Sequence, residues 1–268
     1  MGRGERLERE DRIGKLASRL DDWDIKVIGV DLDGTLVDTK ELFRVAMVEA
    51  SKLLLDGLDG NTELTSLEIK QQTMDLVIMS LREELGVWPS IMETTVMIAA
   101  RNIGVRDNHP SIEFALERVR DIYRKDVPLV FDGAKEMLSI LVASGRRVYI
   151  MTHADPKWTR HKLDMTGLSG CYDGVVCFSI DRPKAEQWKE EFAKIGIKPQ
   201  NWLVIGDNKG GDIVPTISLG GRAVLTNWDS GFYNTEKQTT DSGWQETLDS
   251  GRVTIANGIK DVVGALLG

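Results

Sequence analysis

KVIGVDLDGTLVDT, residues 26–39, is the stretch that decides the architecture. Lys26–Val30 is a short run rich in β-formers, the pattern of a strand buried on both faces. It leads directly into two aspartates and a glycine. A central parallel strand delivers side chains to a ligand crevice in this way, at its carboxyl end. In extended chain, residues i and i+2 point to the same side, so Asp31 and Asp33 project together. Adjacent carboxylates repel, and the usual resolution is a cation or a shared proton. Gly34 lets the backbone turn sharply after the pair. Taken alone the string is moderately specific, because Asp and Gly are common where strands meet turns.

Working outward, residues 5–22 predict a helix, with Ile13, Leu16 and Leu20 at helical spacing among charges. From about Lys40 to Asp126 the periodicity is helical. Leu42, Val45, Ala46 and Leu53 share one face. Ile69, Thr73, Leu76 and Val77 share another, and Ile112, Ala115, Leu116, Val119, Ile122 and Tyr123 a third. Pro128 marks the return, since the residue before a proline disfavours helix.

Helix and strand then alternate. Helices are predicted at 133–144 with Asp132 as N-cap, 157–165, 185–195, 213–219 and 259–267. Strands are predicted at 147–151, 174–178, 202–205, 222–225 and 253–255. Such alternation predicts an α/β fold, a doubly wound, Rossmann-like parallel sheet carrying an inserted α-helical cap. The expected division is an N-terminal helical extension at 1–24, a core at 25–38 and 128–268, and a cap at 39–127. The polar stretch 227–251, with Trp228, Phe232 and Trp244, has no clear period. A lid, an oligomer contact that would make a homodimer, and a loose excursion are equally open for it.

Composition narrows the function classes. The 268 residues are 41% hydrophobic and 28% charged, the balance of an ordinary globular protein. A net charge of −8 argues against a nucleic-acid partner and requires local positive charge for any anionic substrate. The opening two dozen residues alternate in charge without an apolar run, and no stretch reaches 18 apolar residues, so neither a signal peptide nor a membrane partner is expected. Two cysteines, Cys171 and Cys177, read as reduced thiols of a cytoplasmic protein. The three histidines are scattered, which argues against a zinc site.

Three further elements bear on the acidic pair. GDNKGGDI, residues 206–213, also ends a predicted parallel strand, which would bring Asp207 towards Asp31 in an oxygen-rich site suited to Mg²⁺. It lacks the Lys-Ser/Thr ending of a P-loop. Thr152 ends the strand VYIM, where a hydroxyl and the following amides can hold phosphate oxygens. Lys184, in DRPK at 181–184, precedes a helix and would offset crowded negative charge.

In order and spacing these elements resemble the haloacid dehalogenase superfamily of hydrolases, from about Lys26 to Leu267. The resemblance implies Asp31 as nucleophile and Asp33 as acid and base. It implies Mg²⁺ held by Asp31, the Asp33 carbonyl and Asp207, with Asp212 behind them. Thr152 and either Lys184 or Arg182 would hold phosphate oxygens. Gly34, Thr35 and His153 would line the substrate. An acid at position 33 favours phosphate esters, because a halide leaving group needs no proton. The implied reaction is hydrolysis of a small phosphorylated metabolite. The alternatives are a phosphotransferase or mutase, a phosphonate hydrolase, or a non-catalytic module on the same core. The cap would then carry specificity, with Arg44, Lys52, Lys70 and Arg101 as its cationic candidates.

Overall fold

The computed structural model describes residues 2–56, 78, 88–179, 182–226 and 242–268. The helical face of Ile69, Thr73, Leu76 and Val77, the cation Lys70 and the aromatic pair Trp228 and Phe232 lie outside the described residues.

The chain forms two compact units. The first comprises Met1–Asp38, Leu129–His153 and Thr166–Gly268. Its centre is a six-stranded sheet of β1 (Val27–Val30), β4 (Arg147–Thr152), β5 (Gly174–Cys177), β6 (Trp202–Gly206), β7 (Arg222–Leu225) and β8 (Val253–Ile255). The strand order is β5-β4-β1-β6-β7-β8, and every pair is parallel. β1 and β6 are buried along their whole length, as their unbroken apolar runs require. A two-stranded antiparallel ribbon, β2 (Val37–Asp38) with β3 (Leu129–Val130), stands apart from the sheet. Two-residue strands show no period in sequence, so nothing there signals this ribbon.

One sheet face, which includes Trp202, packs on Trp188 and Phe192, and all three are at most 2% exposed. The rings of Phe192 and Trp202 meet edge-on at 4.5 Å. Each buried side chain of this size contributes roughly 1.5–3 kcal/mol of transfer free energy. The N-terminal helix Arg3–Asp22, the expected extension, packs within this unit. Leu16 and Leu20 are fully buried, and Arg146 donates to the Ala17 carbonyl and to Asp21.

Two local expectations are corrected. The helix Ala134–Ala143 has Gly133 as its N-cap, at φ 83°, and not Asp132; no side chain caps it. The stretch 227–251 is not wholly irregular, for Ser242–Asp249 is a helix whose Trp244 packs against Ile213, Ile217, Ala223 and Leu225. Eight residues are too few to impose a visible period among polar neighbours.

The second unit comprises Thr39–Pro128 and Ala154–Met165. Its helices include Thr39–Leu55, Pro89–Asn102, Pro110–Arg124 and Pro156–Met165. By sequence position the last of these falls in the expected core, 128–268. Its place here follows from an aromatic cluster. Trp158 stands 5.6 Å from Phe43 and 5.0 Å from Tyr123, ring centre to ring centre. Arg120 ties its helix to Pro89–Asn102 through Glu93 and pairs with Glu113 of its own helix. His109 caps Pro110–Arg124 by accepting from the Ser111 amide at 3.2 Å. Arg44 pairs with Glu41 and Arg101 with Asp107, and Lys52 is exposed. Among the described helices, none is long and apolar enough to cross a membrane.

Candidate active site

The carboxyl ends of β1, β4 and β6 converge within the first unit. Asp31 directly follows β1, Thr152 ends β4, and Asp207 directly follows β6. After Asp207 the chain makes a π-helical turn, Lys209–Ile213, that returns Asp212 to the same crevice. Single π turns are rare and recur at functional sites. The Asn208 side chain accepts from the Gly211 amide at 2.9 Å, fixing that turn.

Lys184 is the first residue of the helix Lys184–Lys194. Its ammonium donates to Asp31 Oδ1 at 2.5 Å and to Asp212 Oδ1 at 2.6 Å. The Thr35 hydroxyl lies 3.2 Å from Asp31 Oδ2 and 3.3 Å from Asp207 Oδ1. Thr152 Oγ1 donates to Asp33 Oδ2 at 3.1 Å. Asp31, Asp207 and Asp212 are all buried, and each offers an oxygen within 4.8 Å of the others'. The second oxygen of Asp207 is buried without a hydrogen-bond partner.

Arg182 is not brought to this cluster. Its guanidinium pairs with Glu190 at 2.6 Å and is largely exposed. The cation that reaches the carboxylates is Lys184. The Arg182 carbonyl instead meets His153 Nε2 at 3.1 Å. Gln187, unnoticed in the sequence, holds this loop. It accepts from the Ser179 amide at 2.8 Å and donates to the carbonyls of Ser179 and Arg182 at 2.8 and 2.9 Å. Nothing in the pattern singles it out, since a glutamine one turn into an amphipathic helix is ordinary.

Burial raises the Asp31 carboxyl to about 7; Lys184 opposes the shift, while Asp212 and Asp33 add to it. Burial, then Asp31 and Asp212, push Asp207 well above the usual carboxylate range. For Lys184, burial disfavours the ammonium, but Asp212 and Asp31 outweigh it and the pKa rises. His153 is lowered by burial and then by the Lys184 charge. Three buried carboxyl groups crowd one ammonium, and the second Asp207 oxygen has no hydrogen-bond partner. This donor set, all oxygen and anionic, fits a hard divalent cation.

Gly34 has φ 88°, and a Cβ there would stand 2.4 Å from Asp207 Oδ2. Gly34→Ala is therefore expected to destabilise the fold by about 1–3 kcal/mol. It should also displace Asp207, lowering activity more than stability alone explains. Thermal melts and turnover measured together will show both effects.

A six-stranded parallel sheet with an aspartate at the end of an inner strand, faced by a lysine and two further aspartates, defines a Rossmann-like α/β protein with a carboxylate cluster in its crevice. The chain belongs to the haloacid dehalogenase-like hydrolase family, whose model matches residues 25–214. Solved structures agree on the fold. A haloacid dehalogenase-like family hydrolase from Xanthomonas campestris superposes with a TM-score of 0.67 at 16% identity, over 90% of this chain and 94% of that one. A predicted phosphoglycolate phosphatase from Haemophilus somnus 129pt gives 0.62 at 19% identity, over 90% and 97%. L-2-haloacid dehalogenase from Xanthobacter autotrophicus gives 0.55 at 14% identity, over 91% and 99%. No curated protein sequence matches the chain.

Proposed function

We propose that this hydrolase is a magnesium-dependent phosphatase acting on a small phosphomonoester, with Asp31 as nucleophile and Asp33 as acid and base. The observation that carries the reading is the Asp33 carboxyl, oriented by Thr152 at 3.1 Å beside the nucleophile's strand end. Loss of a halide needs no proton donor, whereas an alkoxide leaving group does.

An Asp31 oxygen attacks phosphorus as the P–O ester bond breaks, and the Asp33 carboxyl passes its proton to the departing oxygen. Asp33, now a carboxylate, takes a proton from water, whose oxygen attacks the aspartyl-phosphate and frees Asp31 with release of inorganic phosphate. Lys184 holds charge on the non-transferring oxygens, and Thr152 can turn from Asp33 to donate to them. Asp31 and Asp207, with Asp212 beside them, would hold Mg²⁺, which would supply positive charge to screen an anionic substrate from the carboxylates.

The test sets phosphate release from an aryl phosphate against halide release from a 2-halo acid, each with Mg²⁺ and with EDTA. Phosphate release that EDTA abolishes is expected. Metal-independent halide release, without phosphate release, would overturn the proposal.

A further inference from the structure

The amino ends of the strands, opposite the crevice, carry a second grouping of charge. Arg222 opens β7 and Arg252 directly precedes β8. The two strands are parallel, with Ala223 opposite Val253, and the Ala223 amide donates to the Arg252 carbonyl at 3.1 Å. Arg222 and Arg252 therefore stand side by side, on strands about 4.8 Å apart. Like charges so placed repel. Trp23, just after the helix Arg3–Asp22, joins them. The Arg222 guanidinium carbon lies 4.3 Å from its ring centre and that of Arg19 lies 4.9 Å away. Cation–π attraction to one indole holds two of the three arginines together.

Among the described residues, Arg19, Arg222 and Arg252 form no ion pair with a carboxylate. That is unusual in a chain of net charge −8, where most other buried or half-buried arginines are paired. All three arginines and Trp23 remain partly accessible to solvent. Burial, then the charges of Arg252 and Arg19, lower the pKa of Arg222, as expected of a cation held beside others without compensation.

We propose that Arg19 and Arg222, stacked on Trp23, together with the neighbouring Arg252, bind a small, multiply charged oxyanion of the phosphate type at the end of the sheet opposite the crevice. Guanidinium forks grouped in one neighbourhood supply the paired donors that suit tetrahedral oxyanions. The confined cluster on an acidic chain fits a small anion better than an extended polyanion. The site does not depend on the phosphatase reading.

Equilibrium dialysis of labelled inorganic phosphate against the metal-free full chain tests this, using wild type, Arg222→Gln, Arg252→Gln and Lys184→Gln. Neither Arg222 nor Arg252 hydrogen-bonds through its guanidinium among the described residues, so both variants should fold and keep the basal hydrolytic rate. Arg252→Gln is expected to weaken phosphate binding about tenfold or more, the scale of one charge-assisted hydrogen bond. Its thermal midpoint without phosphate should equal or exceed that of the wild type, because repulsion is relieved. Lys184→Gln should retain the site, and sulfate should compete where acetate does not. Wild-type phosphate affinity in both arginine variants, loss of all binding in Lys184→Gln, absence of binding to wild type, or equal competition by acetate would each overturn the proposal.

Discussion

Asp31→Asn is expected to release no phosphate from any ester the wild type cleaves, a loss of about four orders of magnitude or more. Both oxygens of Asp31 are already engaged, one by Lys184 at 2.5 Å and one near Thr35 at 3.2 Å, so the carboxylate is held in place before substrate arrives. An amide keeps that shape but is a poor nucleophile and cannot carry the covalent phosphoryl group. The effect should fall on kcat with the fold intact, which steady-state kinetics and a melt of the same preparation will separate. A variant retaining the wild-type rate would remove Asp31 from the reaction.

Lys184→Met should cost both activity and stability. The ammonium is buried between Asp31 and Asp212, and breaking a buried ion pair on one side costs about 3–5 kcal/mol. The penalty should depend on pH in a definite direction. Burial pushes the Asp31 carboxyl up to about 7 in the folded metal-free protein, from an ordinary aspartate value of about 4. Between these values the folded state binds more protons than the unfolded state. Stability from this group is therefore full below about pH 4 and is lost as pH rises through about 7. Without Lys184, which lowers that pKa, the window extends further upward. The variant should thus approach wild-type stability at pH 5 and fall well below it at pH 8, in EDTA. Added Mg²⁺ should recover part of the loss at pH 8. Equal destabilisation at both pH values would mean that the lysine does not balance ionised carboxylates.

The strands that build the crevice were legible because each is an apolar run ending in a polar residue. Asp31, Thr152 and Asp207 could be placed at one sheet edge from that pattern alone. The lysine could not be fixed in the same way. Arg182 and Lys184 are two residues apart in a loop, and which one turns inward depends on Gln187 closing that loop, a contact without a sequence signal. The ribbon β2–β3 and the helix Ser242–Asp249 were missed because both are too short for hydrophobic spacing to identify them. The helix Pro156–Met165 is legible from its spacing, but the unit it packs in is not. Periodicity shows that Trp158 is buried and is silent on its partners, Phe43 and Tyr123, more than thirty positions away.

That last helix bears on modularity. The chain passes between its two units after residues 38, 128, 153 and 165, four times and not the two of a simple insertion. Residues 39–128 are therefore not a cassette. Cutting them out, or grafting them into a related scaffold, would strip Phe43 and Tyr123 from Trp158, a side chain only 2% exposed. A recombination point at Asp38 and Pro128 inherits that exposed indole unless Ala154–Met165 travels with the exchanged piece. In evolutionary terms, the two segments are bound to vary together.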